Sequence, residues 1–230
     1  MQLIFERSEQ LSAEINTFLF RPDQKPDFLA GQFIEITLPH LSDTRGEKRW
    51  FTLSSSPTDK LIAITTRLSA EPSSYKRLLN GLEPGDTVQA SQPMGDFVLP
   101  RDRSIPLLFV AIGIGITPIK SILSYLDATH ETRATHVMYA AKNEADLVYL
   151  DLIKRLDPHV DIYTSGERYS QNNPRRITVN DILDSAEHMK NPYIYISGPE
   201  EAVEIIYTEL RDRGVKDSRL VTDYFQGYTE

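Results

Sequence analysis

Two short runs hold the residues that could do chemistry, and they come in a fixed order. Arg49-Trp50-Phe51-Thr52, with Ser54-Ser55-Ser56-Pro57 behind it, precedes Gly113-Ile114-Gly115-Ile116-Thr117-Pro118 by about sixty residues. In the second run, the apolar stretch Pro106–Ile112 reads as a buried strand, and two glycines then allow a tight turn and close approach of backbone to a pyrophosphate. Thr117 suits an N-cap and Pro118 a first helical position. Ile119, Ile122, Leu123 and Leu126 follow at helical spacing, so one face packs on a sheet while the helix start offers free N–H groups and positive dipole to an anion. A glycine-tightened turn without a ligand has the same pattern, but strand, glycines and helix stand here in the order an anion site needs.

In the first run, Arg49 is a planar cation suited to bidentate phosphate binding, and Phe51, two residues on, shares its strand face. These four residues by themselves would equally suit a barrel strand with a snorkelling arginine and packed aromatics.

The elements that must position both runs change character near residue 100. Before it, period-two segments at Phe33–Leu38, Leu61–Leu68 and Thr87–Ala90 are separated by turn signals such as Glu83-Pro84-Gly85-Asp86. That is the pattern of an antiparallel barrel. After it, apolar strands at Leu107–Ile112, Thr135–Ala141, Val160–Thr164, Tyr193–Ser197 and Arg219–Val221 alternate with helices from Pro118, near Ala145–Leu156, near Val179–His188 and from Pro199. This alternation predicts a parallel sheet covered on both faces. The polar stretch 100–104 suits a linker, which divides the chain into a β-barrel domain, 1–100, and an α/β domain, 104–230.

Composition narrows the chemistry. The 230 residues, 40% hydrophobic and 25% charged, can bury one large core or two modest ones. With no cysteine there is no disulfide, thiolate zinc, cysteine nucleophile or cysteine-ligated iron–sulfur cluster in this chain. The five histidines show no metal-ligand spacing, so no metal site is expected. A net charge of −8 disfavours nucleic acid. The longest apolar run, Leu107 to Ile116, is too short to cross a bilayer, and the amino terminus lacks a targeting pattern, so no membrane span and a cytoplasmic location are expected.

Taken together, the two runs resemble the Arg-x-aromatic-Ser/Thr flavin motif and the Gly-x-Gly-x-x-Pro nicotinamide loop of the ferredoxin–NADP reductase superfamily. The resemblance extends from Gly31 to Tyr228. Gly31-Gln32-Phe33 resembles the strand entry before the flavin motif, Thr65-Thr66-Arg67 a second flavin-lining strand, and Ser73-Ser74-Tyr75 a helix start facing the pyrophosphate, although an ordinary capped helix would read alike. Pro93-Met94-Gly95-Asp96-Phe97 is similar to the segment that closes the family's barrel. Ser197-Gly198-Pro199 resembles the family's Cys-Gly-Pro segment beside the nicotinamide, with serine for cysteine. Phe225-Gln226-Gly227-Tyr228 resembles an ending whose aromatic lies over the flavin. Two departures stand out: Phe51 replaces the preferred tyrosine, and Pro118 stands where a Rossmann loop has its third glycine.

The resemblance implies FAD bound by Arg49, Trp50, Phe51, Thr52, Thr65, Thr66, Arg67, Ser73, Ser74, Tyr75, Phe225 and Tyr228. It implies NAD(P)H bound by Gly113, Gly115, Thr117, Pro118, Ser197, Gly198 and Pro199, with Thr52 and Ser197 at the site of hydride transfer. Gly115 is then expected to lie under the dinucleotide, so that a valine there blocks that ligand alone. Lys142, Arg168 and the pair Arg175-Arg176 are cations near the ends of the second and third strands, where a 2′-phosphate would need them; this favours NADPH over NADH. The electrons would pass to a redox protein or a small-molecule acceptor, an acidic protein requiring a basic patch such as Arg45, Lys48, Arg101 and Arg103. The rival readings are a nucleotide-binding electron-transfer subunit without turnover of its own, and a flavin-free dehydrogenase with an appended barrel.

Overall fold

The computed structural model describes residues 1–38, 46–156, 160–166 and 175–225. Six antiparallel strands come first: β1 (Gln2–Gln10), β2 (Ile15–Pro22), β3 (Phe33–Thr37), β4 (Lys48–Thr52), β5 (Ile62–Arg67) and β6 (Thr87–Ala90), with helix α1 (Ser74–Asn80) between the last two. Their order in the sheet is β4-β3-β6-β1-β2-β5, and a bridge from Leu53 to Ile64 joins the two edges into a barrel. Ile34, Ile36, Ile62, Ile64, Phe18, Phe20 and Val88 fill its core, with Leu79 of α1 closing one end. The sequence pattern did not reveal β1 and β2. In β1 only Leu3 and Phe5 are buried before a register shift, and a polar half follows; in β2, Thr17 and Phe18 are both buried, which erases the alternation.

Five parallel strands follow: β7 (Leu107–Ile112), β8 (Thr135–Ala141), β9 (Asp161–Thr164), β10 (Tyr193–Pro199) and β11 (Leu220–Phe225). Helices α2 (Ile116–Thr129), α3 (Leu150–Leu156), α4 (Val179–His188) and α5 (Glu200–Asp212) cover them. Side-chain alternation sorts the two faces. Phe109, Ala111, Val137, Tyr139 and Tyr195 pack with α2 and α3, while Leu108, Val110, Met138, Ile194 and Ile196 pack with α4 and α5. All six residues of β7 are buried, as a central parallel strand requires. The expected two-sheet architecture is therefore present.

The order β11-β10-β7-β8-β9 reverses between β7 and β10. Connections leaving these two neighbours diverge in opposite directions and open a crevice at their carboxyl ends, the place where ligands bind in open α/β sheets. The glycine run and Ser197-Gly198-Pro199 both sit at that crevice.

Three local expectations change. Helix α2 begins at Ile116, after a 3-10 turn over Gly113–Gly115, so Thr117 is not its cap; the Thr117 hydroxyl donates to the Ile114 carbonyl at 3.0 Å. The segment read as one helix near Ala145–Leu156 is split into a 3-10 turn, Glu144–Asp146, and α3, with Tyr149 in the left-handed region at φ 63° between them. The last strand starts at Leu220 and extends through Phe225.

Candidate functional site

Two glycines in the turn after β7 do different work. A Cβ on Gly115 would lie 2.0 Å from the Ser197 carbonyl oxygen and 2.7 Å from the Gly198 nitrogen, so this glycine exists to seat the turn against the end of β10. Gly198 answers it from the other side, where a Cβ would meet the Ile112 side chain at 2.7 Å. Gly113, by contrast, has φ +56° and open space where its Cβ would be. It is the bare surface of the crevice. The α2 start has no side-chain cap hydrogen bond; the preceding 3-10 turn serves instead, the Ile116 N–H donating to the Gly113 and Ile114 carbonyls.

Beside the turn, Ser197 is fully buried and its Oγ has no hydrogen-bond partner. An unsatisfied buried hydroxyl is costly, which marks the end of β10 as a strained point of the crevice wall. Parallel pairing sets Ser197 opposite Asp223 of β11. The Asp223 carboxylate reaches across to the barrel and accepts a hydrogen bond from the Thr52 hydroxyl at 2.9 Å. Burial raises the Asp223 pKa to about 6, against the lowering effect of the Thr52 bond. Thr52, one of the two residues expected at hydride transfer, is thus bonded to a carboxylate that sequence reasoning missed, and that carboxylate sits on the strand next to Ser197, the other. The only signal of this carboxylate was an acid within the half-buried strand Leu220–Phe225.

Toward the other end of β4, Arg49 stacks on Tyr75 at 5.1 Å, and its Nη1 donates to the carbonyls of Gly46 and Lys48. Phe51 lies against the same Tyr75 ring, centroids 5.9 Å apart, and Tyr75 is anchored by its hydroxyl to the Ile36 carbonyl at 2.9 Å. Burial pushes the Tyr75 phenol up, so it stays a neutral donor. Ser73 caps α1 by accepting from the Lys76 N–H, and Ser74 is the first helical residue. Cation, aromatic pair and helix start therefore share one corner. Trp50 points the other way, 57% exposed, with its indole N–H on Glu35 and its ring against Phe33.

The remaining expected positions are more dispersed. Thr66 is fully buried; the Thr65 hydroxyl bonds those of Thr17, Ser54 and Tyr149; Arg67 forms ion pairs with Glu14 and with Asp146. Thr117 and Pro118 are buried in the first turn of α2, and Pro199 precedes α5. Lys142 and Arg176 are exposed. Arg175 is committed to Asp181 by two bonds of 2.6 Å and stacks on Tyr163, which removes half of the expected arginine pair. Phe225 packs beside the core at the end of β11. Tyr228, Arg168 and Arg45 lie outside the described residues. Among the described residues no three His, Cys, Asp or Glu side chains cluster to hold a metal, and no helix is long and apolar enough to cross a membrane.

A barrel followed by a parallel sheet with a switch-point crevice is a two-domain arrangement that known proteins share. Residues 109–207 match the family model of the oxidoreductase NAD-binding domain. The chain is 32% identical over 143 residues to the flavohemoprotein of Bacillus subtilis, covering 61% of this chain and 35% of that protein. It superposes on the flavohem-like FAD/NAD-binding domain of nitric oxide dioxygenase from Vibrio cholerae with TM-score 0.81 at 19% identity, covering 97% and 98% of the two chains. For a ferredoxin–NADP+ reductase from Neisseria gonorrhoeae with bound FAD and NADP the TM-score is 0.79 at 16% identity, again covering 97% and 98%. The chain thus matches the oxidoreductase NAD-binding domain over residues 109–207, and over nearly its whole length it shares the two-domain fold of these solved structures. It spans at most 60% of the length of the flavohemoproteins it matches.

The two glycines should therefore respond differently to an added methyl group. Gly115→Ala should lower Tm severely, since backbone cannot yield 1 Å or more at a strand end. Gly113→Ala should cost only about 1–2 kcal/mol of left-handed strain and weaken dinucleotide binding about tenfold or more by filling the approach. Equal thermal stability of the two variants would contradict this division of labour.

The carboxylate gives a pH signature. Because the folded-state pKa of Asp223, about 6, lies above its ordinary value of 3.8, the native protein binds more protons than the unfolded chain between these values. Stability contributed by this group is therefore lost as pH rises through that window. Asp223→Asn should raise Tm relative to the parent at about pH 8 and lose this advantage near about pH 4; a pH-independent difference would show that Asp223 titrates normally.

Proposed function

We propose that this chain is an FAD-dependent NAD(P)H oxidoreductase that moves hydride from NAD(P)H to FAD and passes the electrons to a protein or small-molecule acceptor. The observation that carries the reading is the Thr52–Asp223 bond beside Ser197, where the barrel's flavin-type strand meets the crevice of the parallel sheet. FAD supplies the ability to accept a hydride as an electron pair and release electrons singly. The protein's own task is binding and orientation.

Arg49 holds the flavin pyrophosphate with the first turn of α1, its plane pre-set by stacking on Tyr75. Phe51 packs beside that ring and keeps the corner dry. Gly113 would let the nicotinamide dinucleotide lie against backbone, with Ser197 at the end of β10 backing that crevice. Thr52 would orient the reactive edge of the flavin, with its hydroxyl held in place by Asp223, whose burial favours the protonated form. Positioning at van der Waals distance, more than strong acid or base chemistry, supplies the rate.

The direct test is whether the purified chain is yellow and reduces ferricyanide with NAD(P)H. Arg49→Ala should lose flavin on gel filtration, a weakening of about 2–5 kcal/mol if the pyrophosphate contact is desolvated. A colourless parent protein, or an Arg49→Ala variant with unchanged flavin affinity, would overturn the assignment. A chain that binds both nucleotides but never turns over alone would be an electron-transfer subunit instead.

For the nucleotide, we favour NADPH on the exposed cations Lys142, at the end of β8, and Arg176. Lys142→Ala and Arg176→Ala should each lower kcat/KM for NADPH about tenfold with little change for NADH. A parent preference for NADH, or an NADPH preference indifferent to both substitutions, would reject these residues as 2′-phosphate ligands.

A further inference from the structure

The segment from Lys142 to Tyr149, which joins β8 to α3, leaves its own sheet and grips the barrel at two places. Asp146, a buried carboxylate, reaches Arg67 of β5 at 3.1 Å. Three residues on, the Tyr149 hydroxyl sits between those of Thr65 on β5, at 2.6 Å, and Thr17 on β2, at 2.8 Å. Thr65 in turn bonds Ser54, two residues beyond Thr52 in the chain. Both grips are backed from behind: the Tyr139 hydroxyl donates to the Asp146 carbonyl at 3.3 Å, and the Lys120 ammonium of α2 lies 5.6 Å over the Tyr149 ring. Tyr149 holds this place with φ 63°, a conformation that a bulky residue adopts only when its surroundings impose it.

Beside the grip, a half-open pocket of about 300 Å³, lined mostly by the barrel, reaches Lys120 and Tyr149. Leu147 and Val148, between the two grips, share a buried apolar cluster with Ile15 of β2, so apolar packing holds the units together here and the directional polar contacts fix their register. The contacts are made on β5 and at Ser54, next to the strand that carries Thr52, by a loop that leaves the same sheet edge as the dinucleotide crevice.

We propose that Asp146 and Tyr149 are positioning residues that set the nicotinamide-binding unit at its reactive distance from the flavin-binding strand. The inference rests on the preceding reading of the two nucleotide sites. Hydride transfer is acutely sensitive to such placement, a misplacement of about 1 Å costing about a hundredfold, whereas the affinity of each nucleotide depends on contacts within its own unit.

The experiment uses the full FAD-loaded chain and three conservative substitutions, Asp146→Asn, Tyr149→Phe and, from the opposite side, Thr17→Val. Flavin reduction at saturating NAD(P)H is followed by stopped flow, with nucleotide dissociation constants, flavin spectra and a primary isotope effect at the transferred hydrogen measured in parallel. The reduction rate should fall about tenfold in Asp146→Asn and Tyr149→Phe, with the isotope effect at least as large as in the parent, nucleotide affinity within about twofold and an unchanged flavin spectrum. Combining Tyr149→Phe with Thr17→Val should cost little more than Tyr149→Phe alone, since both remove one hydrogen-bonded link. Reduction at the parent rate in folded, flavin-loaded variants would overturn the inference while leaving the function intact, as would a rate loss matched by an equal loss of nucleotide affinity. A parent chain that takes up no FAD or is not reduced would overturn both.

Discussion

At the carboxyl end of β7 the chain has no room for a side chain: Gly115 lies so close to the Ser197 carbonyl that any Cβ would overlap it. This contact presses the glycine turn against β10 at the point where strand order reverses. Ser197 is thereby held at the crevice, β11 pairs alongside it, and Asp223 arrives opposite Ser197 within hydrogen-bond reach of Thr52 on the barrel. The Thr52–Asp223 bond beside Ser197 thus rests on strand pairing and backbone packing, with the side chains following.

Two kinds of contact join the sheets, and they differ in physical character. Near the linker, Phe97 packs edge-on against Tyr195, whose hydroxyl donates to the Val98 carbonyl, and Arg133 holds the carbonyls of Pro100 and Asp102. This region is apolar and well filled. Across the seam, contacts run through hydroxyls and ions, Ser121 to the Ser55 carbonyl, Tyr149 to Thr17 and Thr65, and Asp146 to Arg67. Hydrogen bonds of this kind specify geometry at modest net energy. The seam thus combines apolar packing, which includes Ile15, Leu147 and Val148, with directional polar contacts.

Local pattern reported the elements that satisfy their own chemistry within a few neighbours. The apolar strands of the parallel sheet, the amphipathic helices and the Ser73 cap were readable because each depends on contiguous residues. The pattern failed where a distant partner overruled it. Ala145–Leu156 has a helix-like sequence, yet Asp146 and Tyr149 are drawn to β5, and the helix breaks between them. Arg175 read as a cation available to phosphate, but Asp181 takes both of its guanidinium edges while also completing the capping box of α4.

The sequence by itself determined the two-part architecture, the glycine turn after β7 and the Arg49–Phe51 pair on one strand face, because periodicity and glycine spacing are local consequences of backbone geometry. It could not show that Asp223 belongs with Thr52, 171 residues away, or that Thr65 and Arg67 turn their polar ends toward Tyr149 and Asp146. Those pairings exist only after the parallel sheet docks on the barrel. Even the pKa of Asp223 is a product of that docking, since an acid in an extended chain is solvated and becomes hard to ionise only when a second sheet removes its water.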